Sequence, residues 1–325
     1  MKHISILALN NARLSSIEIP RHAFSEVNNF LISQNKQPLF EVEFVGLSKK
    51  IILNNGLYVI TPHKLIEDVK KTDLIIVPAL EDDLEKNLPL NTGFIPWIVK
   101  QYKGGAEVAS LCVGAFLLAS TGLLNGKHCS THWRAANEFR EMFPQVNLTI
   151  DKVITDEQGT YSSGGAFSSS NLILYLIEKY VGRDVAIHCS KLFQVDTERD
   201  SQSPFMIFKG QKTHDDDAIK NVQEFIENNF REKITVDQLS ERFQIGRRTF
   251  ERRFKKATFN SIVEYIQRVK VEAAKKQLEA GRKTVSEVMY DVGYTDTKAF
   301  REVFKKIAGV SPIEYRNKFN LNAVN

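Results

Sequence analysis

Three cysteines in 325 residues, Cys112, Cys129 and Cys189, are too few for a disulfide framework and show no paired spacing that would hold a metal. That scarcity points to a reducing compartment, the cytoplasm. Seventeen glycines and nine prolines are too few for a fibrous or low-complexity chain. No apolar run reaches the roughly 20 residues of a membrane helix. The longest, Val108 to Leu124, is broken by Ser, Thr, Gly and Cys. Met1-Lys2-His3 leads into only a brief apolar stretch without a small-residue cleavage site, so no signal peptide is expected. What is present is 42% hydrophobic and 26% charged residues, enough for packed cores and unlike a disordered chain. At about 150 residues per domain, the length favours two domains.

The net charge of +5 is unevenly spread. Residues 231–325 carry 21 Lys and Arg against 12 Asp and Glu, while the rest carry 23 against 27. One module suited to a polyanion and one that is not is the simplest reading.

The basic third repeats itself. Val236–Phe243, Gln244-Ile245-Gly246 and Arg247–Ala257 are matched by Val285–Val292, Gly293-Tyr294-Thr295 and Asp296–Ile307, and both copies contain Phe-x-x-x-Phe-Lys-Lys. Each reads as a short helix, a turn with glycine and a second helix, with Thr235 and Thr284 as N-caps. On a helical wheel Phe250, Phe254 and Ala257 share one face, and Arg248, Glu251, Arg252 and Lys255 the opposite one. In the second copy Phe300, Phe304 and Ile307 oppose Lys298, Arg301, Glu302 and Lys305. Arg247 and Thr297 open the two second helices. Arginine can bond guanine bidentately, glutamate can accept from cytosine and lysine can neutralise phosphate. Ser261 to Ala280 lacks proline and internal glycine, and Gly281 stops it. A helix there would be a rod of roughly 28 Å, near one turn of B-DNA. Ser311-Pro312 caps a last helix.

This stretch resembles the DNA-binding domain of the AraC/XylS family of bacterial regulators. The resemblance rests on Arg248-x-Phe250-x-Arg252-x-Phe254-Lys255, Asp291-Val292-Gly293-Tyr294, Phe300-x-x-x-Phe304-Lys305 and Gly309-Val310-Ser311-Pro312-x-x-Tyr315-Arg316.

The front two-thirds alternate β-rich runs (His3–Leu9, Phe40–Leu47, Asp73–Leu80, Ala106–Leu111) with amphipathic ones (Ile19–Ile32, Gly93–Tyr102), the pattern of a parallel sheet with helices on both faces. In Ala109-Ser110-Leu111-Cys112-Val113-Gly114-Ala115 a strand ends at Cys112 among small residues and a helix begins at once. That is the pattern of a nucleophile elbow, where a helix N-terminus favours thiolate. The alternative is a buried, inert cysteine.

Cys112, the Gly122–Trp133 segment and Ser162-Ser163-Gly164-Gly165-Ala166 look like the amidotransferase-like domain of the PfpI/ThiJ superfamily, in the GlxA-type branch fused to an AraC-type domain. The resemblance implies a flavodoxin-like α/β domain over residues 1–208, a linker at 209–217 and an all-α DNA-binding domain with two helix-turn-helix units over 218–325. It places Cys112 at the elbow and His132 across a cleft from it, with Val113, Gly164 and Gly165 alongside. Where the regulators often carry Asp this chain has Ser16, and Glu18, two residues on, is either its substitute in the effector pocket or a solvated carboxylate at the helix start, so the triad's acid is not firmly placed. No catalytic residue, metal or cofactor is assigned. The implied function is a cytoplasmic, nucleoid-associated regulator, commonly an activator. Its implied partners are promoter DNA, RNA polymerase, a second copy of itself and a small effector such as an amino acid or nitrogenous metabolite. The other reading is a cysteine hydrolase or amidotransferase with a DNA-binding appendage.

Overall fold

Runs of Val, Ile and Leu become the middle of one sheet. In the computed structural model, which describes residues 1–197 and 199–320, β1 (Lys2–Ala8) pairs in parallel with β2 (Phe40–Gly46), and Ile4 lies level with Val42. A hairpin of β3 (Ile51–Leu53) and β4 (Tyr58–Ile60) precedes the short β5 (Lys64–Leu65), and β6 (Leu74–Val77) and β7 (Glu107–Leu111) extend the sheet on the other side of β1. β8 (His128–Cys129) and β9 (Asn147–Leu148) pair separately. β10 (Ile154–Glu157) and β11 (Thr160–Ser163) complete a seven-stranded sheet of order β10-β11-β7-β6-β1-β2-β5, parallel except for β10 against β11.

Helices flank it. α1 (Leu14–Ser33) packs with the later helices α6 (Ser169–Val181) and α7 (Arg183–Phe193). After α2 (Leu84–Asn87), α3 (Phe94–Lys103) and α4 (Ala115–Ser120) pack on β7, and α5 (Ala136–Met142) adds Phe139 to the Phe116 cluster. The sheet's apolar residues are sealed from water, which favours this layered arrangement.

The chain divides into two units, Met1–Gln202 and Ser203–Asn325. Among the described residues the regular elements of the second are all helices: α8 (Asp217–Asn229), α9 (Val236–Arg242), α10 (Arg247–Thr258), α11 (Ile262–Ala280), α12 (Val285–Asp291), α13 (Thr297–Ala308) and α14 (Pro312–Phe319). It has two cores. Ile262, Tyr265 and Ile266 of α11 join Phe250 and Phe254 in one, and Val271, Ala274 and Leu278 of the same helix join Phe300, Phe304 and Tyr315 in the other.

The segment read as a linker at 209–217 is fastened to this second unit. Phe208 meets Tyr265 edge-on, Lys212 pairs with Glu227 at 2.6 Å, and Gln223 donates to the Gln211 carbonyl at 2.7 Å. Asp216 caps α8 and takes two hydrogen bonds from Arg253 of α10 at 2.6 and 2.9 Å. Its polar composition reflects pairing with partners far along the chain rather than looseness.

Candidate functional site

β7 ends at Leu111, where the β-rich run ends, because Cys112 itself turns the chain with φ of 55°. Left-handed backbone is uncommon for a residue with a Cβ and tends to occur where a side chain must be presented at a fixed angle. Three neighbours hold the turn. Cys112 N–H donates to Ser163 Oγ at 3.4 Å, and Thr131 Oγ1 donates to the Cys112 carbonyl at 3.0 Å. Gly114 backs so closely on the Val77 and Pro78 carbonyls that a Cβ there would overlap them.

The thiol differs from the expected thiolate. Cys112 is only 4% exposed, and burial pushes its pKa up to about 11. The chain leaves Cys112 as a single turn of 3-10 helix before the six-residue α4, so little helix dipole opposes that desolvation.

Cys112, Val113 and His132 line one cavity of about 600 Å³. Its wall also holds Arg13, Arg134 and five carboxylates, Glu81, Asp82, Asp83, Glu85 and Glu138. His132 Nδ1 accepts the Arg134 N–H at 3.2 Å. Among the described residues no hydrogen bond joins His132 to Cys112 or to a carboxylate. Burial, with the positive charges of Arg134 and Arg13, lowers the His132 pKa and keeps the ring neutral. Asp82 pairs with Arg13 at 2.9 Å instead of orienting it. Burial and the neighbouring Glu85, Glu141 and Asp83 raise the Glu138 pKa, a sign of crowded negative charge.

The remaining pocket residues go elsewhere. Glu18 lines two adjoining hollows, and its carboxylate is held by Arg21, one turn along α1, which lowers its pKa. Ser16 fastens α1 to the sheet: its hydroxyl donates to the Arg13 carbonyl at 2.7 Å and accepts the Ala79 N–H at 3.0 Å. Gly164 is the seat of Gln202, since a Cβ there would overlap the Gln202 amide. Gly165 takes a left-handed φ of 83° that L side chains rarely adopt. Ala166, next to them, is the residue of that loop on the cavity wall. Gln202 carries no motif, and sequence reasoning missed it.

In the second unit Phe250, Phe254, Phe300 and Phe304 are buried, while Arg247, Arg248, Glu251, Arg252, Lys255, Thr297, Lys298, Arg301, Glu302 and Lys305 are all exposed. The cations are not equivalent. Arg247 is bound by Asp237 of α9 at 2.8 Å and by Glu251 at 3.3 Å. Lys298 approaches Glu302 at 4.0 Å. Arg248 and Arg252 stand on the open face of α10 with no such pairing among the described residues. Both first helices begin in capping boxes, Thr235 with Gln238 and Thr284 with Glu287.

A model of the DJ-1/PfpI family matches residues 3–179. The chain belongs to the DJ-1/PfpI family. A helix-turn-helix domain model matches residues 239–318, so the DJ-1/PfpI domain is joined here to an AraC-type helix-turn-helix domain. The HTH-type transcriptional regulator CdhR of Pseudomonas aeruginosa is 25% identical over 275 residues, 84% of this chain and 80% of CdhR. The regulator GbdR of the same species is 24% identical over 223 residues, 68% of this chain and 60% of GbdR, so this match spans about three-fifths of that relative. The crystal structure of an AraC family transcriptional regulator from Pseudomonas putida shares the fold, with a TM-score of 0.50 and 18% identity over 59% of this chain and 100% of that one. Among the described residues no helix is long and apolar enough to cross a membrane, and no group of His, Cys, Asp and Glu could hold a metal.

Proposed function

We propose that the protein is a sequence-specific DNA-binding transcription regulator whose DJ-1/PfpI domain binds a small effector. The observation that carries this reading is the pair of matching helix-turn-helix units, each burying an aromatic face and exposing a cationic one. Two such helices on one stiff rod suit two major grooves better than an unused charged surface. Selection of duplexes from a random library by the full-length chain tests it. The expected result is an enriched motif whose binding weakens steeply with salt. Equal binding to all duplexes would refute it.

The DJ-1/PfpI domain is read as a sensor. A protonated thiol and a His132 that bonds no carboxylate among the described residues support binding over turnover. Five carboxylates against two guanidinium groups support an effector that carries a positively charged nitrogen. The reading extends to a cytoplasmic homodimer that recruits RNA polymerase to promoters as an activator. Small cations titrated into the protein by calorimetry test the effector class, and Glu138→Gln is expected to weaken a cation that binds there. Turnover of amide or peptide substrates that vanishes in Cys112→Ser would establish the hydrolase reading instead.

A further inference from the structure

Gln202 is the last residue of the first unit, and almost none of its surface reaches water. Its backbone N–H donates to the Asp151 carbonyl at 2.7 Å, and Ser201 bridges Lys152. Its side-chain Nε2 lies 2.9–3.2 Å from four acceptors: the carbonyls of Thr131, Ile150 and Lys152 and Ser130 Oγ. An amide nitrogen has two hydrogens, so it serves only two of these at once; the Lys152 carbonyl also accepts from Ser130 Oγ at 2.6 Å. Gln202 Oε1 is buried with no donor. One of the acceptors stands directly behind the cavity. Thr131 is bonded through its hydroxyl to the Cys112 carbonyl and is followed by His132.

The residues that follow are anchored in the second unit. Phe205 meets Phe319 of α14 edge-on, and the Met206 carbonyl accepts from Lys275 of α11. Phe208 N–H donates to Glu272, and the segment ends where Asp216 grips Arg253 on α10. From Phe205 to Asp216 the chain thus touches the last helix, the connecting helix and the first recognition helix.

We infer that Gln202 is a positioning residue that couples Cys112 and His132 of the effector cavity, through Thr131 behind them, to the DNA-reading helices by way of the braced segment 203–216. With four acceptors for two hydrogens, the amide can exchange partners when those residues shift. Only a few residues separate it from the first ring held in the DNA-reading unit, so little slack absorbs the change. This inference rests on the regulator reading above.

The test uses the full-length chain and a duplex that it selects from a random library. Coupling between two sites is reciprocal, so duplex binding must be felt at the cavity wall. Amide hydrogen exchange at 128–132, 149–153 and 163–165 is expected to change about threefold or more when the duplex binds. Inserting about six Gly and Ser residues between Gln202 and Ser203 supplies slack. That variant is expected to bind the duplex within about threefold of the parent affinity while the change at the wall disappears. Gln202→Met, which keeps length but removes the donor, is expected to reduce the change in the same way. An unchanged response in the slack variant, or a bound duplex with no response at the wall in the parent, overturns the inference alone. Failure to select any duplex overturns the regulator reading with it.

Discussion

Desolvation decides the chemistry of Cys112. A thiol with a pKa of about 11 holds far less thiolate at neutral pH than a solvated cysteine, on the order of 300-fold less. In the folded protein at pH 7.5, iodoacetamide is therefore expected to label Cys112 at least about 100-fold more slowly than in the unfolded chain. Peptide mass mapping over time measures this, and fast labelling of the native protein would contradict the burial argument. Asp216 shows the opposite effect. Its two bonds from Arg253 hold the carboxyl below the usual carboxylate range. A depressed folded pKa adds stability above the unfolded value of about 3.9, and that contribution is lost as pH falls through the folded pKa. Asp216→Asn should lower the thermal midpoint at pH 7 and make little difference near pH 2. A gap that stays constant across the pH series would mean that the charge is not what Asp216 contributes.

The helical elements were largely legible because their signals are local. Thr235, Thr284 and Ser311 announced caps that form, and Gly281 ends α11 in left-handed backbone. Thr235→Ala or Thr284→Ala should each cost about 1 kcal/mol in denaturant unfolding of the second unit. The edge of the sheet was not legible. β10 and β11 read Ile-Thr-Asp-Glu and Thr-Tyr-Ser-Ser, without apolar alternation, although β11 is wholly buried beside β7. Its serines are spent on neighbours: Ser163 on the Cys112 N–H and Ser162 on the Ser130 N–H. The pocket was half legible. The elbow sequence marked Cys112, but nothing local could say that Gly164 makes room for Gln202, which lies 38 positions on. Glu18 was open to correction from sequence, since Arg21 stands three residues later on the same helix. On α10, pairing separates the arginines. Arg248→Ala or Arg252→Ala should cost about 1–3 kcal/mol on the selected duplex and relax base preference at one position. Arg247→Ala should alter preference less, because that guanidinium already serves Asp237 and Glu251. Footprinting of the three variants on specific and random DNA distinguishes base reading from phosphate contact.

Within the DNA-reading unit, one helix sets the geometry of both readers. α11 gives its first half to the core that carries α10 and its second half to the core that carries α13. Between the halves, the buried Lys270 ammonium reaches the Glu232 and Gly293 carbonyls at 3.4 and 3.3 Å, one from each helix-turn-helix side. Gly293 lies so close to the Arg231 carbonyl that a Cβ would overlap it. The two readers are therefore held as one body by a continuous helix and by contact across it. Three residues inserted after Val269 would turn one core about 300° against the other and move it about 4.5 Å along the axis. Each core keeps its own face of α11, so each reader can still fold. The loss expected is in paired binding. The duplex selected by the parent should be bound far more weakly, with the footprint shortened to a single groove. Circular dichroism should show the helices intact. A full-length footprint at parental affinity would mean that the readers find their grooves independently and that the rod does not set their spacing.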